Sequence, residues 1–545
     1  MIHFECPSCN SVYDVDDSYA GCKVECGVCK HSFYAPNVQE TVSENYHQGH
    51  ITWITCPHCW QRFDSRDVKY ISRHLDLIGD PILGEDAQRR FVPVKYSAGG
   101  MAIDERGMEC QEMACPLCHL KIPEWVINLP SSIFSIVGAP ASGKSYFLTT
   151  MLWQLRKCLP SHFAFTLGDV DSSFNSVLNE YENILFMNNH PDRLVSLPKT
   201  ELQGSGYTNQ IMMKGFPVDL PKPFIFALNP TGSHPDALTR RKELERNLIL
   251  YDNAGEHFQP GHESVNNLAT NHLAYSDGII FVYDPLRDIR LRDFCDKEDP
   301  QFEQESTNQL ALFYEMANRV RKFTGLTSTE KYRQPLVVAI AKFDVLREGF
   351  GLQPGREDYI SYDAEKFEYS LNLQNITNMS FMLREKLLEI APEFVSAAEG
   401  FSETVYFVPV SSFGCSPRVM ADDNAAASPA RSQVLGIIPN EINPFWTEVP
   451  VLLQLYLHGL LPAVSEPEKN AAPIANYKFL KDSIVFTFPD SGKRHELPSI
   501  YWGWSVYNRQ DGKYYSVPAP DDFTRQQSKA ASLDEQIDKN FWDEQ

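Results

Sequence analysis

The sequence predicts an α/β protein: a mostly parallel sheet flanked by helices, with small cysteine-bearing β modules ahead of it and a short β-rich region behind. Three observations carry this expectation. From Leu129 onward, apolar β-prone runs alternate with longer stretches of helical periodicity, the signature of a parallel sheet covered by helices. One such run, Ile133–Val137, passes straight into G-x-x-x-x-G-K-S at Gly138–Ser145 and then into the helical pattern Tyr146–Leu155, the strand–loop–helix context of a phosphate-binding loop. Before both lie four C-x-x-C pairs, a spacing suited to metal-binding turns.

At 545 residues the chain exceeds one core, and its pattern divides at 1–38, 50–128, 129–465 and 466–545. An apolar fraction of 43% with 22% charged residues is that of a soluble globular protein. No run approaches the roughly 18–20 apolar residues of a membrane span, and Val449–Val464, the nearest, carries Gln454 and His458. The opening residues Met1–Cys6 lack the basic region and apolar core of a signal peptide, so a cytoplasmic chain is expected. A net charge of −22 opposes a polyanion at long range, and acidic residues outnumber basic ones within 1–130 too. The cysteine modules are therefore expected to meet protein partners rather than nucleic acid.

The cysteine pairs fall into two groups. Cys6-Pro7-Ser8-Cys9 and Cys26-Gly27-Val28-Cys29 match a zinc ribbon, in which each pair sits on a tight turn and four thiolates close a tetrahedron. Val12, Tyr13 and Val15 between them read as a hairpin strand. So short a module buries little core, so the metal must supply the folding energy. Cys22 is a spare ligand. After a polar linker at 37–50 comes Cys56-Pro57-His58-Cys59, matched much later by Cys115-Pro116-Leu117-Cys118. Both are C-P-x-C turns, which implies a second ribbon opened by an insertion, Asp67–Glu109, and two zinc ions per chain. Cys110, His58, His74 and His119 are alternative ligands.

In the sheet region, strands are expected at Ile133–Val137, Phe224–Leu228, Leu248–Tyr251, Gly278–Tyr283, Leu336–Ala341 and Val405–Val410. Helices are expected at 144–158, 306–323, 379–399 and 443–461, the last capped by Asn443-Pro444. The glycines of the G-K-S loop let backbone N–H groups turn inward onto phosphate at the positive end of a helix. Gly138, Ala141, Ser142, Gly143, Lys144, Ser145 and Tyr146 form this cradle, Pro140 having no N–H. Lys144 reaches the β- and γ-phosphates, and the Ser145 hydroxyl holds Mg²⁺. The strand at Leu248–Tyr251 ends in Asp252-Asn253-Ala254-Gly255-Glu256, a D-x-x-G turn whose Asp orients Mg²⁺ and whose Gly255 N–H meets a γ-phosphate. Lys342-Phe343-Asp344 and Ser411-Ser412-Phe413-Gly414 close two later strands. All four pieces lie at C-terminal strand ends, where open α/β sheets bind ligands.

Ala341-Lys342-Phe343-Asp344 resembles the [N/T]-K-x-D guanine motif of Ras-like GTPases, and Ser411-Ser412 stands where their S-A-K loop falls. The chain as a whole resembles the TRAFAC-class P-loop GTPases. More narrowly it resembles the bacterial double-GTPase family with N-terminal zinc ribbons, through Cys56–Cys59, Ile78-Gly79-Asp80-Pro81, Arg90-Phe91-Val92-Pro93 and Ala114–His119. This likeness covers roughly residues 50–465. It implies GTP and Mg²⁺, with Asp344 accepting from guanine N1 and N2, the Lys342 stem covering the base, and Ser411–Ser412 backbone facing the base carbonyl. It also implies a switch Thr or Ser on Mg²⁺ and the γ-phosphate in the enlarged stretch between Lys144 and Asp252, with Thr200 and Thr208 as candidates among the others there. Three departures stand out: Ala341 for Asn or Thr, Ser412 for Ala, and Glu256 where Gln usually orients the attacking water.

The expected function is a GTP-binding and hydrolysing switch with slow intrinsic turnover, coupled to protein partners that include an activating protein. Arg193, Arg240 and Arg241 are candidates for a built-in arginine. The alternatives are a P-loop ATPase or ATP-dependent enzyme, which Ala341 leaves open, and a nucleotide-bound scaffold without turnover. Beyond 465, strands are expected at Ile484–Phe488 and Tyr501–Tyr507, with Trp502, Trp504, Tyr507, Tyr514 and Tyr515 forming either a small core, the commoner arrangement, or a binding surface. Residues 416–435 read as a mobile loop, and Leu533–Gln545 as an acidic docking helix.

Overall fold

A seven-stranded mixed sheet organises the chain, seen in a computed structural model that describes residues 2–5, 11–15, 23–30, 32–34, 53–198, 207–213, 216–252, 268–420, 434–464, 466–489 and 492–520. Its strands are β1 (Ser131–Gly138), β2 (Phe165–Asp169), β3 (Phe224–Pro230), β4 (Arg246–Asp252), β5 (Gly278–Tyr283), β6 (Leu336–Ile340) and β7 (Val405–Pro409). They lie in the order β2-β3-β4-β1-β5-β6-β7. Strands β4, β1, β5, β6 and β7 are mutually parallel, and β3 and β2 add antiparallel at one edge. The six expected strands occur, each within two residues of its expected ends. The edge strand β2 and the helix that follows it, α2 (Ser172–Phe186), were not anticipated.

The parallel strands read as unbroken apolar runs because both faces of the sheet are buried. Phe134, Ile136, Phe226, Leu248 and Leu250 point to one side, into the core shared with helix α1 (Lys144–His162). Ile133, Ile225, Ile249 and Tyr251, at alternate positions, point to the other, where they meet Trp60, Phe63, Met113, Ile122 and Val126 of the second cysteine module. That module comprises a hairpin, Trp53–Thr55 with Arg62–Asp64, and a four-stranded sheet built from Lys69–Ile71, Arg90–Phe91, Met113–Ala114 and Lys121–Ile122. It therefore shares a core with the sheet rather than standing apart from it.

Two helix expectations need correction. In place of one helix over 379–399 there are two, α5 (Leu373–Ile390) and α6 (Pro392–Phe401). Pro392 has no N–H for the ladder and sits in the first turn of α6, after Ala391 at φ −137°, ψ 57°. The helix expected over 443–461 runs only from Val449 to Leu457 (α7), with Pro450 in its first turn. Phe445 exchanges backbone hydrogen bonds of 3.0 and 2.9 Å with Ser411, which keeps the Asn443-Pro444 stretch out of the helix. The helix expected over 306–323 is found at Gln309–Thr324 (α3), capped by Asn308 Oδ1 on Ala311 N and closed by Gly325 at φ 70°.

The C-terminal region folds as two three-stranded sheets around Ile484, Phe486, Leu497, Tyr501, Trp502, Val506 and Tyr515, with Phe381 of α5 completing the cluster. Trp504 joins the main core instead, and the strand expected at Tyr501–Tyr507 is displaced to Ser505–Asn508. In the N-terminal segment where the first ribbon is expected, Ile2–Glu5 pairs with Val12–Val15 and Lys23–Glu25 with Ser32–Tyr34. Within the expected loop 416–435, Arg418–Val419 pairs with Leu435–Gly436; 421–433, like the tail from 521, lie outside the described residues. Among the described residues, no helix is long and apolar enough to cross a membrane.

The start of β4 is pinned to the chain that leaves the cysteine module. Fully buried Asn247 donates from Nδ2 to Trp125 O at 3.0 Å and Leu129 O at 3.1 Å, and its own N–H donates to Pro130 O at 2.8 Å. Asn247→Ala leaves those buried carbonyls without the amide, so chemical denaturation should show a loss of about 1–3 kcal/mol. A change below about 0.5 kcal/mol would show that the amide does not pin β4.

Candidate nucleotide cleft and four-cysteine centre

At the C-terminal edge of the parallel strands, β1 runs into a loop that needs two left-handed residues, Ala141 at φ 55° and Gly143 at φ 85°, before α1 begins at Lys144. Gly138 is dictated by space, since a Cβ there would lie 2.7 Å from Val282 O. The Lys144 ammonium folds back over the loop, donating to Gly138 O at 3.0 Å and Ala139 O at 2.8 Å. Ser145 Oγ donates to Asp252 Oδ2 at 3.3 Å, joining the loop to the end of β4. Burial pushes the Asp252 carboxyl up, against the opposing pull of Lys144 and the Ser145 hydroxyl. Two buried polar atoms of this cradle, Ser142 Oγ and Asp252 Oδ1, have no hydrogen-bond partner among the described residues. An anion for Ser142 and a hard cation for Asp252 and Ser145 would satisfy them, so the donor set fits a phosphate chain with Mg²⁺.

The far end of the same cleft is built from β5, β6 and β7. Asp344 lies in the first turn of helix α4 (Phe343–Phe350) and accepts a short hydrogen bond from Ser411 Oγ, which itself accepts from Gly414 N at 2.8 Å. Burial pushes the Asp344 carboxyl up as well, with the Ser411 bond opposing it. Lys342 adopts φ 50°, and its ammonium donates to Asp284 Oδ2 at 2.7 Å. Asp284 follows β5 directly and is fully buried. Its Oδ1 accepts from Leu286 N at 3.0 Å, and its backbone pairs with the Gln309 amide through two bonds of 2.8 Å. Neither Asp284 nor Gln309 was singled out from sequence, although Asp284 stands at a C-terminal strand end like the motifs that were.

Gly138 excepted, every expected nucleotide-binding residue within the described chain lines one cleft of about 380 Å³: Ala141 to Tyr146, Asp252, Lys342, Asp344, Ser411 and Ser412. Gly138 lies directly beneath, as an acceptor for Lys144. Two further segments wall the cleft. Leu197 N donates to the Tyr146 hydroxyl at 2.8 Å, and Val195 exchanges backbone bonds of 2.9 and 2.8 Å with Ile437. Thr200, Gly255 and Glu256 lie outside the described residues, and Thr208 belongs to a hairpin of Tyr207–Met213 with Phe216–Pro221. Arg240 and Arg241 pair with Glu243 and Glu245 in their own helical turn and do not line the cleft.

On the opposite face of the sheet, the Sγ atoms of Cys56, Cys59, Cys115 and Cys118 all lie within 4.8 Å of one another, and all four residues are buried. Cys56–Cys118 and Cys59–Cys115 are 3.7 and 3.8 Å apart. A tetrahedron with Zn–S bonds of about 2.3 Å has edges of about 3.8 Å, so the group has the size of a structural zinc site. Backbone N–H groups of His58 and Leu117 donate to Cys56 and Cys115 sulfur at 3.4 Å. The alternative ligands are engaged elsewhere: His58 with Lys121 O, His119 with Asp80, His74 next to Asp76, and Cys110 with Asp104. In the N-terminal segment Cys29 N donates to Cys26 Sγ at 3.4 Å, and Cys6, Cys9 and Cys22, the other ligands considered for the expected first ribbon, lie outside the described residues.

Asp284 gives the cleft a charge partner for Lys342 that Ala341 cannot replace. Asp284→Asn keeps the Leu286 contact and removes the charge opposite the ammonium. If the cleft takes a guanine nucleotide, titration with a fluorescent one should show roughly tenfold weaker binding, equal for di- and triphosphate, in line with about 1.5–3 kcal/mol for a hydrogen bond to a charged group. Unchanged affinity would show that Lys342 is placed without Asp284.

No family model matches the chain. It is 24% identical over 234 residues to a Mycolicibacterium smegmatis protein described as the putative ESX-1 scaffolding and assembly protein SaeC; the match covers 43% of this chain and 51% of that one. The chain thus spans about half the length of this curated relative. Among solved structures it is similar to the signal recognition particle receptor SRb-GTP/SRX complex from Chaetomium thermophilum, with 13% identity, TM-score 0.20, and coverage of 55% of this chain and 94% of that one. It is also similar to a putative nucleolar GTP-binding protein 1 from Plasmodium falciparum, with 12% identity, TM-score 0.19, and coverage of 53% and 81%. Sup35 complexed with GDP gives 14% identity, TM-score 0.18, and coverage of 72% and 58%. Likenesses this slight decide nothing about the cleft, whose reading rests on its own residues.

Proposed function

We propose that this chain is a guanine-nucleotide switch that binds GTP with Mg²⁺, hydrolyses it slowly, and passes the change to protein partners. The observation that carries the reading is the convergence of the G-K-S loop, Asp252, Lys342, Asp344 and Ser411–Ser412 on one cleft. Phosphate sits on the N–H groups of residues 141–146, at the positive end of α1. Lys144 leaves its own loop carbonyls for phosphate oxygens, and Ser142 Oγ gains an acceptor. Ser145 and Asp252 hold Mg²⁺, joined by a switch threonine, Thr200 in this account; the ion neutralises phosphate charge when bound. Asp344 accepts from guanine N1 and N2, a donor pair that adenine does not present. Ser411 N–H already donates to Phe445 O, so the donor to the base carbonyl falls to Ser412. Gly255 N–H senses the γ-phosphate. Glu256 follows Gly255 in sequence, at the position where Ras-like GTPases commonly carry a water-orienting Gln; a carboxylate is a poor substitute, so intrinsic turnover is slow and an activating partner has a role. Zinc at Cys56, Cys59, Cys115 and Cys118, and a second ion at Cys6, Cys9, Cys26 and Cys29, complete the cofactors. A relative described as a scaffolding and assembly protein agrees with an output that consists of binding other proteins.

Competition against a labelled guanosine diphosphate tests the base reading. GTP and GDP should displace it at concentrations at least tenfold below ATP, and Asp344→Asn should move preference towards xanthosine nucleotides by exchanging an acceptor for a donor. Equal competition by ATP and GTP would overturn guanine recognition and favour the ATPase alternative. On the same protein, single-turnover hydrolysis should run well below about 1 s⁻¹, the lower end of stimulated GTPase rates. Faster turnover by the isolated chain would remove the need for an activator.

A further inference from the structure

The turn that carries Cys56 and Cys59 is hydrogen-bonded to the residue immediately before Asp252. The Tyr251 hydroxyl donates a short hydrogen bond to Pro57 O, inside the turn, and accepts from Trp60 Nε1 at 3.1 Å. Tyr251 is fully buried and Trp60 nearly so. Trp60 follows Cys59 at φ 57°, closing the turn through its N–H on Cys56 O at 3.0 Å. The Tyr251 ring stacks on His272 at 4.6 Å and 20°. His272 Nδ1 in turn lies 2.5 Å from Ser135 Oγ, and Ser135 is the register partner of Tyr251 across β1 and β4. One polar and aromatic chain thus runs from the cysteine turn through β4 to β1, the two strands that deliver Asp252 and the phosphate loop. Because side chains alternate, Tyr251 faces the cysteines while Asp252, one residue on, lines the nucleotide cleft.

On the nucleotide reading above, we infer that Tyr251 is a positioning residue for Asp252 and that metal occupancy of the four-cysteine centre is thermodynamically linked to Mg²⁺-dependent nucleotide binding. The geometry supplies the reason. Pro57 O lies between two of the four ligands, so its place depends on whether a metal closes Cys56, Cys59, Cys115 and Cys118 into a tetrahedron. When it does, the carbonyl and the Trp60 indole together fix the Tyr251 hydroxyl, and Asp252 is held where it meets Ser145. When it does not, β4 loses its terminal anchor, and the site for the divalent ion loosens before the phosphate cradle does, since the cradle is built on β1 and α1. Linkage is reciprocal: whatever factor the cysteine-bound metal adds to the affinity for nucleotide with Mg²⁺, that complex adds to the affinity for the cysteine-bound metal. The second module then acts on the nucleotide site from within the fold, with its metal turns buried against the sheet.

The test uses the full chain and two readouts. Labelled guanosine diphosphate is titrated with and without Mg²⁺, and zinc is competed at equilibrium against a colorimetric chelator with and without that nucleotide and Mg²⁺. The native chain should gain affinity with Mg²⁺ and hold zinc severalfold more tightly when the nucleotide complex is present. Tyr251→Phe should keep its zinc and its Mg²⁺-free affinity, lose fivefold or more of the Mg²⁺ gain, and show no nucleotide effect on zinc. A purely structural role for the hydroxyl would instead weaken binding equally with and without Mg²⁺, and that result overturns the proposal. So does a native chain whose zinc affinity ignores the nucleotide, a readout that needs no variant. Should Tyr251→Phe fail to fold, Trp60→Phe removes the indole donor together with part of a buried ring, and should show the same selective loss of the Mg²⁺ gain; an undiminished Mg²⁺ gain there overturns the proposal too. A native chain that binds no guanine nucleotide overturns the function reading along with this one, whereas binding without linkage overturns this one alone.

Discussion

Burial of the central sheet on both faces is the constraint on which the rest of the molecule depends. Strand β4 must satisfy a helix-packed core on one side and the cysteine module on the other, and its alternation does so residue by residue: Leu248 and Leu250 one way, Ile249 and Tyr251 the other. The strand is held at its start by Asn247 and at its end by the Tyr251 hydroxyl, both tied to the segment 57–130 that precedes the sheet. Its last residue, Asp252, therefore reaches the cleft from a strand held at both ends. On the proposed reading, in which Asp252 holds Mg²⁺, that rigidity matters because the ion tolerates little departure from octahedral geometry.

Electrostatics within the cleft is arranged in two halves. At one end Lys144 sits over the loop and Asp252 beside Ser145; at the other Lys342 is held by Asp284 and Asp344 by Ser411. Burial raises both Asp252 and Asp344, so each carboxylate is costly to ionise until a partner arrives. A divalent ion at Asp252 and a pair of N–H donors at Asp344 are the partners that would favour the charged form. The ends are joined by walls that come from far apart in the chain, Val195–Leu197 bonded to Ile437 and to Tyr146. Segments far apart in the chain that line the cleft are thus linked to one another through the protein.

Much of this was legible because the chemistry is local. Gly138–Ser145 carries both glycines and the Lys-Ser pair in one short stretch, and Asp252, Lys342 and Ser411 each follow a run of buried β-prone residues that announces a strand end. What could not be read depended on contacts between distant segments. Asp284 looks like an ordinary cap residue until Lys342 is placed beside it, and Gln309 matters only because α3 brings its amide to Asp284. The end of one helix at Ile390 is a single proline, visible in the sequence but outweighed there by helical periodicity on either side. The late start of α7 has a non-local cause, the Ser411–Phe445 bridge, which overrides a good local cap at Asn443. Strand β2 alternates as an edge strand should, but it is five residues long, contains Gly168, and has only Phe165 and Leu167 to mark its buried face. The pairing of Cys56–Cys59 with Cys115–Cys118 could be read only because both turns share the C-P-x-C form; their burial against Tyr251 could not.

The central claim is that a guanine-nucleotide cleft and a metal-held cysteine module form one unit across the sheet. Native mass spectrometry of the full chain, purified without added nucleotide or metal, addresses it most directly. The account predicts a folded species carrying the mass of a guanine nucleotide together with zinc, and loss of the nucleotide from molecules stripped of zinc. A folded chain that carries an adenine nucleotide, or one that retains its guanine nucleotide undiminished after every zinc has been removed, would contradict it.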